Sequence, residues 1–177
     1  MSMSQRDSGY ERKERDCYET PEWVTEALMP HIPRGAVEVW EPACGSGKMA
    51  RVLDRHFQRV VATDIINGPE YDFLKTPKGK LYPSIITNPP YELATEFVET
   101  AIALTCAKGW AAMLLRTDFD HAKTRSRLFG SSPRFAKKLV LTKRIRWFED
   151  STGSPSFNHA WFIWDWQHVG APTLAYH

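Results

Sequence analysis

Apolar positions along the chain change period several times, and each change marks an element. Trp23, Val24, Ala27 and Leu28 recur at helical spacing, and Pro30 and Pro33 close the run. Thr20 stands where an N-cap belongs, Pro21 suits the first helical position, and Glu22 falls in the first turn. Residues 36–41 read as a strand stopped by Pro42. A glycine turn follows, then an amphipathic helix carrying Met49, Val52, Leu53 and Phe57. "RVVATDI" is a second strand, with Asp64 at its end. A long, turn-rich connection leads to a third strand, "SIITN". Leu93, Phe97, Ala101 and Leu104 then share one face of a helix. "GWAAMLLR" is a fourth strand, and residues 118–129 carry a short helix. Residues 138–147 and 158–165 read as two strands joined by "FEDSTGSPSF".

Strand alternating with helix predicts an α/β fold: a mostly parallel, seven-stranded sheet with helices on both faces. The last two strands, joined without a helix, predict an antiparallel hairpin at one edge. Residues 1–16 read as a flexible tail, 17–168 as one domain and 169–177 as a C-terminal tail. At 177 residues, 42% hydrophobic and 25% charged, the chain has an ordinary globular composition. No run is long and apolar enough to span a membrane, and the polar start lacks a signal segment. Cys17, Cys44 and Cys106 are scattered and show no metal-ligand spacing, which points to a reducing, cytoplasmic setting without a bound metal.

The net charge of +2 says little, but its distribution says more. Between Arg116 and Trp147 there are ten cations against Asp118 and Asp120 alone. Such local excess is the footprint of a polyanionic partner.

In "EPACGSGKMA", Gly45 and Gly47 lie between a strand and a helix, where absence of Cβ lets a backbone approach a ligand. A P-loop is excluded, because Pro42 holds the first glycine position and Met49 follows Lys48. Asp64 ends the next strand, roughly 20 residues after the turn, where a carboxylate can accept from ribose hydroxyls. Together these predict an adenosine-type ligand and leave nicotinamide dinucleotide and S-adenosylmethionine both open. The stretch "SIITNPPYE" then stops a strand on Asn88, Pro89, Pro90 and Tyr91. Prolines explain the stop. They do not explain the asparagine before them or the aromatic after.

"EPACGSG", "ATD" and "NPPY", in this order, resemble the S-adenosylmethionine-dependent amino-methyltransferases, in particular those that methylate N6 of adenine. The resemblance runs from about Tyr18 to Asp165, and the motif order is like the family's gamma arrangement. It implies a class I methyltransferase Rossmann-like fold with S-adenosyl-L-methionine as cofactor. Catalysis would fall to Asn88, Pro89, Pro90 and Tyr91. The cofactor would be held by Tyr18, Thr20 and Pro21 in "YETPEWV", by Glu41, Pro42, Ala43, Cys44, Gly45 and Gly47, by Asp64 and Ile65, by Asp72 and Phe73 in "YDFL", and by Asn88. Glu41 would lie near the methionine moiety, and Asp72 would accept from the cofactor's adenine amine. Tyr91 would stack on a flipped or unpaired base.

The substrate implied is nucleic acid, DNA ahead of RNA. Lys123, Arg125, Arg127, Arg134 and Lys137 are the expected phosphate contacts, and Phe157 is a second candidate stacking wall. No segment reads as a separate target-recognition domain. Relaxed sequence preference, as in small phage-type relatives, or a partner subunit or second copy would account for that. NPPY also occurs in methyltransferases of protein glutamine, and a non-catalytic nucleic-acid-binding protein is a further alternative. Cys44 reads as packing. His121 and His159 lack partners at metal or triad spacing and read as structural or surface residues. Trp161, Trp164 and Trp166 read as sheet packing.

Overall fold

The computed structural model describes residues 18–147 and 157–177. The expected N-terminal tail and most of the connection between the last two expected strands lie outside them. Seven strands form one sheet in the order β2 (Arg59–Ala62), β1 (Glu38–Glu41), β3 (Tyr82–Thr87), β4 (Thr105–Arg116), β6 (His159–Asp165), β5 (Phe135–Val140), β7 (Thr173–Tyr176). Every pairing is parallel except those of β6, which runs antiparallel to β4 and β5.

The central strands are apolar on both faces, as sheets covered twice must be. On β4, Trp110, Ala112 and Leu114 pack towards α1 (Glu22–Leu28) and α2 (Lys48–Leu53). Ala111, Met113 and Leu115 face the other way, towards α3 (Ala94–Leu104). Trp161 and Trp164 of β6 are fully buried, each with its indole N–H satisfied, by the Val24 carbonyl at 2.8 Å and the Leu128 carbonyl at 2.7 Å. The reading of these two as sheet packing holds. No helix among the described residues is long and apolar enough to cross a membrane.

Several details differ from expectation. Pro21, not Thr20, holds the cap position of α1, with ψ 146° and no side-chain capping bond, while Thr20 is buried. Residues 118–129 form two short 3-10 segments, Phe119–His121 and Lys123–Leu128, rather than an α-helix. β5 and β6 do pair as an antiparallel hairpin, but β6 is inserted between β4 and β5, inside the sheet. The outer side of β5 is covered by β7, in the stretch read as a C-terminal tail; Lys137 to Val140 match Thr173 to Tyr176 one for one. An edge strand left bare would expose a row of unpaired backbone groups.

β5 also ends at Val140; Leu141 and Thr142 still donate to the His159 and His177 carbonyls at 3.1 and 2.9 Å, and residues 143–147 leave the sheet. Leu139 and Leu141 point inward by alternation, and the next inward position would be Lys143. Burying that cation without a partner is prohibitive. The chain turns out instead.

Candidate active site

All parallel strands end at one edge of the sheet, and β6 begins there. The order reverses between β1 and β3, the switch point where ligands bind in open α/β sheets. Glu41 ends β1, and Asn88 follows β3. The glycine turn after β1 is closed by the Gly47 N–H to the Cys44 carbonyl at 2.8 Å, and tied to the next strand by the Cys44 N–H to the Thr63 carbonyl at 3.0 Å. Gly45 and Gly47 have φ of +53° and +81°, a region costing other residues about 1–2 kcal/mol. A Cβ built on Gly45 meets no atom within 4 Å, so the turn faces open space.

Asp64 is buried, and its carboxylate already accepts from the Gly45 N–H at 2.8 Å and the Ile66 N–H at 3.0 Å. The acid and the glycine turn are therefore one unit. Ile65 beside it is half exposed. Glu41 is 2% exposed, and its Oε2 has no hydrogen-bond partner among the described residues. Burial, with Asp64 adding repulsion, pushes its pKa up to about 8, so it holds a proton at neutral pH. Burial and the same two carboxyls push the Cys44 thiol up to about 11, which removes it as a nucleophile. Asp72 caps the 3-10 turn Phe73–Lys75 through the Leu74 N–H at 3.1 Å and pairs with Lys75 at 3.0 Å. The ring of Phe73 belongs to the core, against Trp40 and Phe97.

Asn88 is fixed by its amide nitrogen, which donates to the Tyr18 carbonyl at 3.3 Å. Its Oδ1 is shielded from solvent and has no hydrogen-bond partner among the described residues. Pro89 is buried and Pro90 extended, with the Leu93 N–H closing a turn onto the Pro90 carbonyl at 3.0 Å. Tyr91 packs against Tyr18, ring centroids 5.9 Å apart, and Tyr18 against Trp147 at 5.5 Å. The Tyr91 hydroxyl meets His159 Nε2 at 2.8 Å, and Trp147 stands edge-on to the same imidazole at 5.2 Å. His159 is 1% exposed. Burial, and then the charge of Arg116, hold its pKa down at about 4, with the Phe157 carbonyl and Asp118 pulling less strongly the other way. It is neutral across the physiological range. Sequence spacing could not connect His159 to NPPY, because the contact crosses 68 residues and comes through β6, and Trp147 joins the cluster only through Tyr18 and His159. His121, by contrast, is exposed, beside Asp120 at 3.6 Å.

No family model matches the sequence, and no curated protein matches it. Solved structures do resemble it. A putative class I S-adenosylmethionine-dependent methyltransferase from Listeria monocytogenes aligns over 93% of this chain and 67% of its own, with TM-score 0.64 and 14% identity. The chain has the class I methyltransferase fold. A type I restriction-modification methyltransferase subunit from Streptococcus thermophilus shares it at TM-score 0.61 and 12% identity, over 86% of this chain and 45% of that one. A 23S rRNA methyltransferase, ErmE, does so at 0.52 and 16%, over 88% and 70%.

On this class I methyltransferase fold the expected basic residues disperse. Arg125 lies over the Phe119 ring at 4.2 Å and donates to the Phe119 carbonyl. Arg127 pairs with Glu99 of α3. Arg134 precedes β5 and donates to the Trp166 carbonyl at 2.9 Å, at the opposite edge of the sheet from Asn88. Lys137 reaches the His31 carbonyl at 3.3 Å behind α1. Lys123 is exposed in the second 3-10 segment. These five do not form one surface with the site. Phe157 does sit beside it, under the Arg116 guanidinium at 4.2 Å.

Proposed function

We propose that this chain transfers a methyl group from S-adenosylmethionine to the exocyclic N6 of adenine in nucleic acid, DNA ahead of RNA, on a base that is flipped or unpaired. The observation carrying this is Asn88: its amide nitrogen is held, while its oxygen is desolvated and without a donor among the described residues. Such an orphaned acceptor costs about 1–3 kcal/mol, recovered when a substrate N–H arrives. An aromatic amine is a poor nucleophile because its lone pair is delocalised into the ring. Acceptors at Asn88 Oδ1 and the Pro89 carbonyl, aimed at its two N–H bonds, favour a pyramidal nitrogen with that lone pair localised. The prolines keep both acceptors from reorganising as charge develops. Tyr91, braced by His159, offers its ring to the base.

The cofactor reading rests on the donor set at the switch point. Gly45 faces open space, and Asp64 keeps lone pairs for ribose hydroxyls. Glu41 Oε2, which has no partner among the described residues, suits an ammonium group whose charge would lower the Glu41 pKa and ionise it. The bound cofactor supplies an electrophilic sulfonium methyl. Holding the amine in line with it is the protein's task, and such orientation contributes roughly 7–11 kcal/mol. The likeness to a restriction-modification methyltransferase subunit and an rRNA methyltransferase supports a nucleic-acid substrate.

The test is product identification after incubation with S-adenosylmethionine and, separately, duplex DNA, single-stranded DNA, RNA and glutamine-containing protein. N6-methyldeoxyadenosine is the expected product. N6-methyladenosine in RNA alone would keep the mechanism and change the substrate. Methylated glutamine, or no product despite cofactor binding, would overturn the reading.

A further inference from the structure

We propose that residues 142–147 hold the backbone of a single-stranded polyanion alongside Asn88. The proposal rests on the nucleic-acid reading above and adds where the strand lies. After β5 the chain is pinned twice, by Leu141 at 3% and Ile145 at 1% exposure. Between and beyond these anchors Thr142, Lys143, Arg144 and Arg146 are exposed. The segment carries three cations and no acid, and it ends in Trp147, whose ring packs on Tyr18 and His159 beside NPPY. Glu149 and Asp150 follow in the sequence, outside the described residues.

Position separates this segment from the rest of the basic window. Arg127 is tied to α3, and Arg134 lies at the far end of β5. Lys143 lies 5.0 Å over the Trp23 ring, and Arg144 donates to Asn158 Oδ1 at 2.9 Å, next to His159. Across the aromatic cluster, Arg116 lies over Phe157 and is paired with Asp118 at 2.7 Å, so the net positive charge lies on the side of residues 143–146. A strand entering the cluster there meets cations along its backbone, while Tyr18, Tyr91 and Trp147 present rings to bases. Cations along a path interleaved with aromatic faces are the construction of a single-strand site, where phosphates give affinity and stacking tolerates any base.

The test is fluorescence anisotropy with a short labelled adenine-containing single strand, titrated at several salt concentrations. Wild type is compared with Lys143→Ala/Arg146→Ala and with Arg127→Ala/Arg134→Ala, thermal unfolding confirming that each variant folds. Removal of Lys143 and Arg146 should weaken binding roughly tenfold and lower the salt slope by about 1.4, two contacts at about 0.7 each. The other pair should leave slope and affinity unchanged. A wild-type slope in the first variant, or an equal loss in the second, overturns the proposal and leaves the substrate reading standing. Absence of binding by the wild type at low salt to this strand overturns the proposal, and absence of binding to duplex DNA and RNA as well, with S-adenosylhomocysteine still bound, overturns both.

Discussion

Asn88 spends its amide nitrogen on the Tyr18 carbonyl, and its Oδ1 has no hydrogen-bond partner among the described residues; the proposed role gives that oxygen the substrate amine. Asn88→Ala should therefore lower turnover about 10²–10³-fold with little change in cofactor affinity, as loss of one preorganised polar contact does. Single-turnover methyl transfer and calorimetric titration with S-adenosylhomocysteine check the two halves, and equal losses in both would remove the assigned role. Glu41 makes a pH prediction. Its folded pKa of about 8 lies above its ordinary value, so its full stability contribution is present below about pH 4.5 and is lost as pH rises through 8. Urea unfolding of the ligand-free wild type should weaken between about pH 4.5 and pH 8, and Glu41→Gln should flatten much of that decline. An unchanged decline in the variant would mean that other groups carry it. His159 has the opposite dependence: its pKa is held down, so its contribution is full above about pH 6.5 and lost as pH falls through 4. A double-mutant cycle of Tyr91→Phe and His159→Phe at neutral pH should give a coupling of about 1 kcal/mol from the hydroxyl–imidazole bond. Zero coupling would mean that Tyr91 is positioned by packing alone.

Among elements, α3 is legible because a helical period runs through it. Phe97, Ala101 and Leu104 are buried as that period predicts, whereas Leu93 is exposed in the 3-10 turn before the helix. The central strands are legible as short apolar runs. The glycine turn and Asp64 were legible as a pair, and the bond from the Gly45 N–H to Asp64 explains why they belong together. The basic residues were not legible. Charge density along the sequence cannot say which side of a sheet receives each cation, and alternation on β5 sends Lys137 and Lys138 to opposite faces. Alternation of Leu139 and Leu141 predicts a strand over residues 138–147, and the prediction fails from Lys143, the position that would have to be buried next. A less visible element feature is the junction of β3 and β4. Tyr82 pairs with Thr105 but Ser84 with Trp110, so residues 106–109 bulge out of the ladder. A Cβ on Gly109 would come within 2.6 Å of the Pro83 carbonyl oxygen. Because that neighbour is backbone, Gly109→Ala should destabilise by about 1–3 kcal/mol, the range for overpacking. Urea unfolding measures it, and a cost near zero would mean that the bulge relaxes freely.

At the scale of the whole molecule, the sheet is unevenly secured. β4, β6 and β5 lie inside it and bury aromatic residues on both faces, whereas β2 is an edge strand with no buried residue, followed by three 3-10 turns across residues 65–75. Ile65, Ile66 and Tyr71 in that stretch are exposed. The proposed cofactor would touch this weakly packed side at three points: the glycine turn, Asp64 with Ile65, and Asp72. Its binding energy should therefore appear as local order as well as global stability. S-adenosylhomocysteine at about 100 times its Kd should add about 2.7 kcal/mol. For a domain of this size that corresponds to a Tm rise of roughly 5–11 °C. Hydrogen exchange should show the added protection concentrated in residues 59–75 and in the glycine turn, because strands already protected by the core have less to gain. Asp64→Ala should abolish both effects, since it removes the proposed ribose acceptor and the tie to Gly45 together. A Tm rise accompanied by protection only around NPPY would place the ligand on the substrate side of the switch point. It would thereby separate an error in the cofactor assignment from one in the fold.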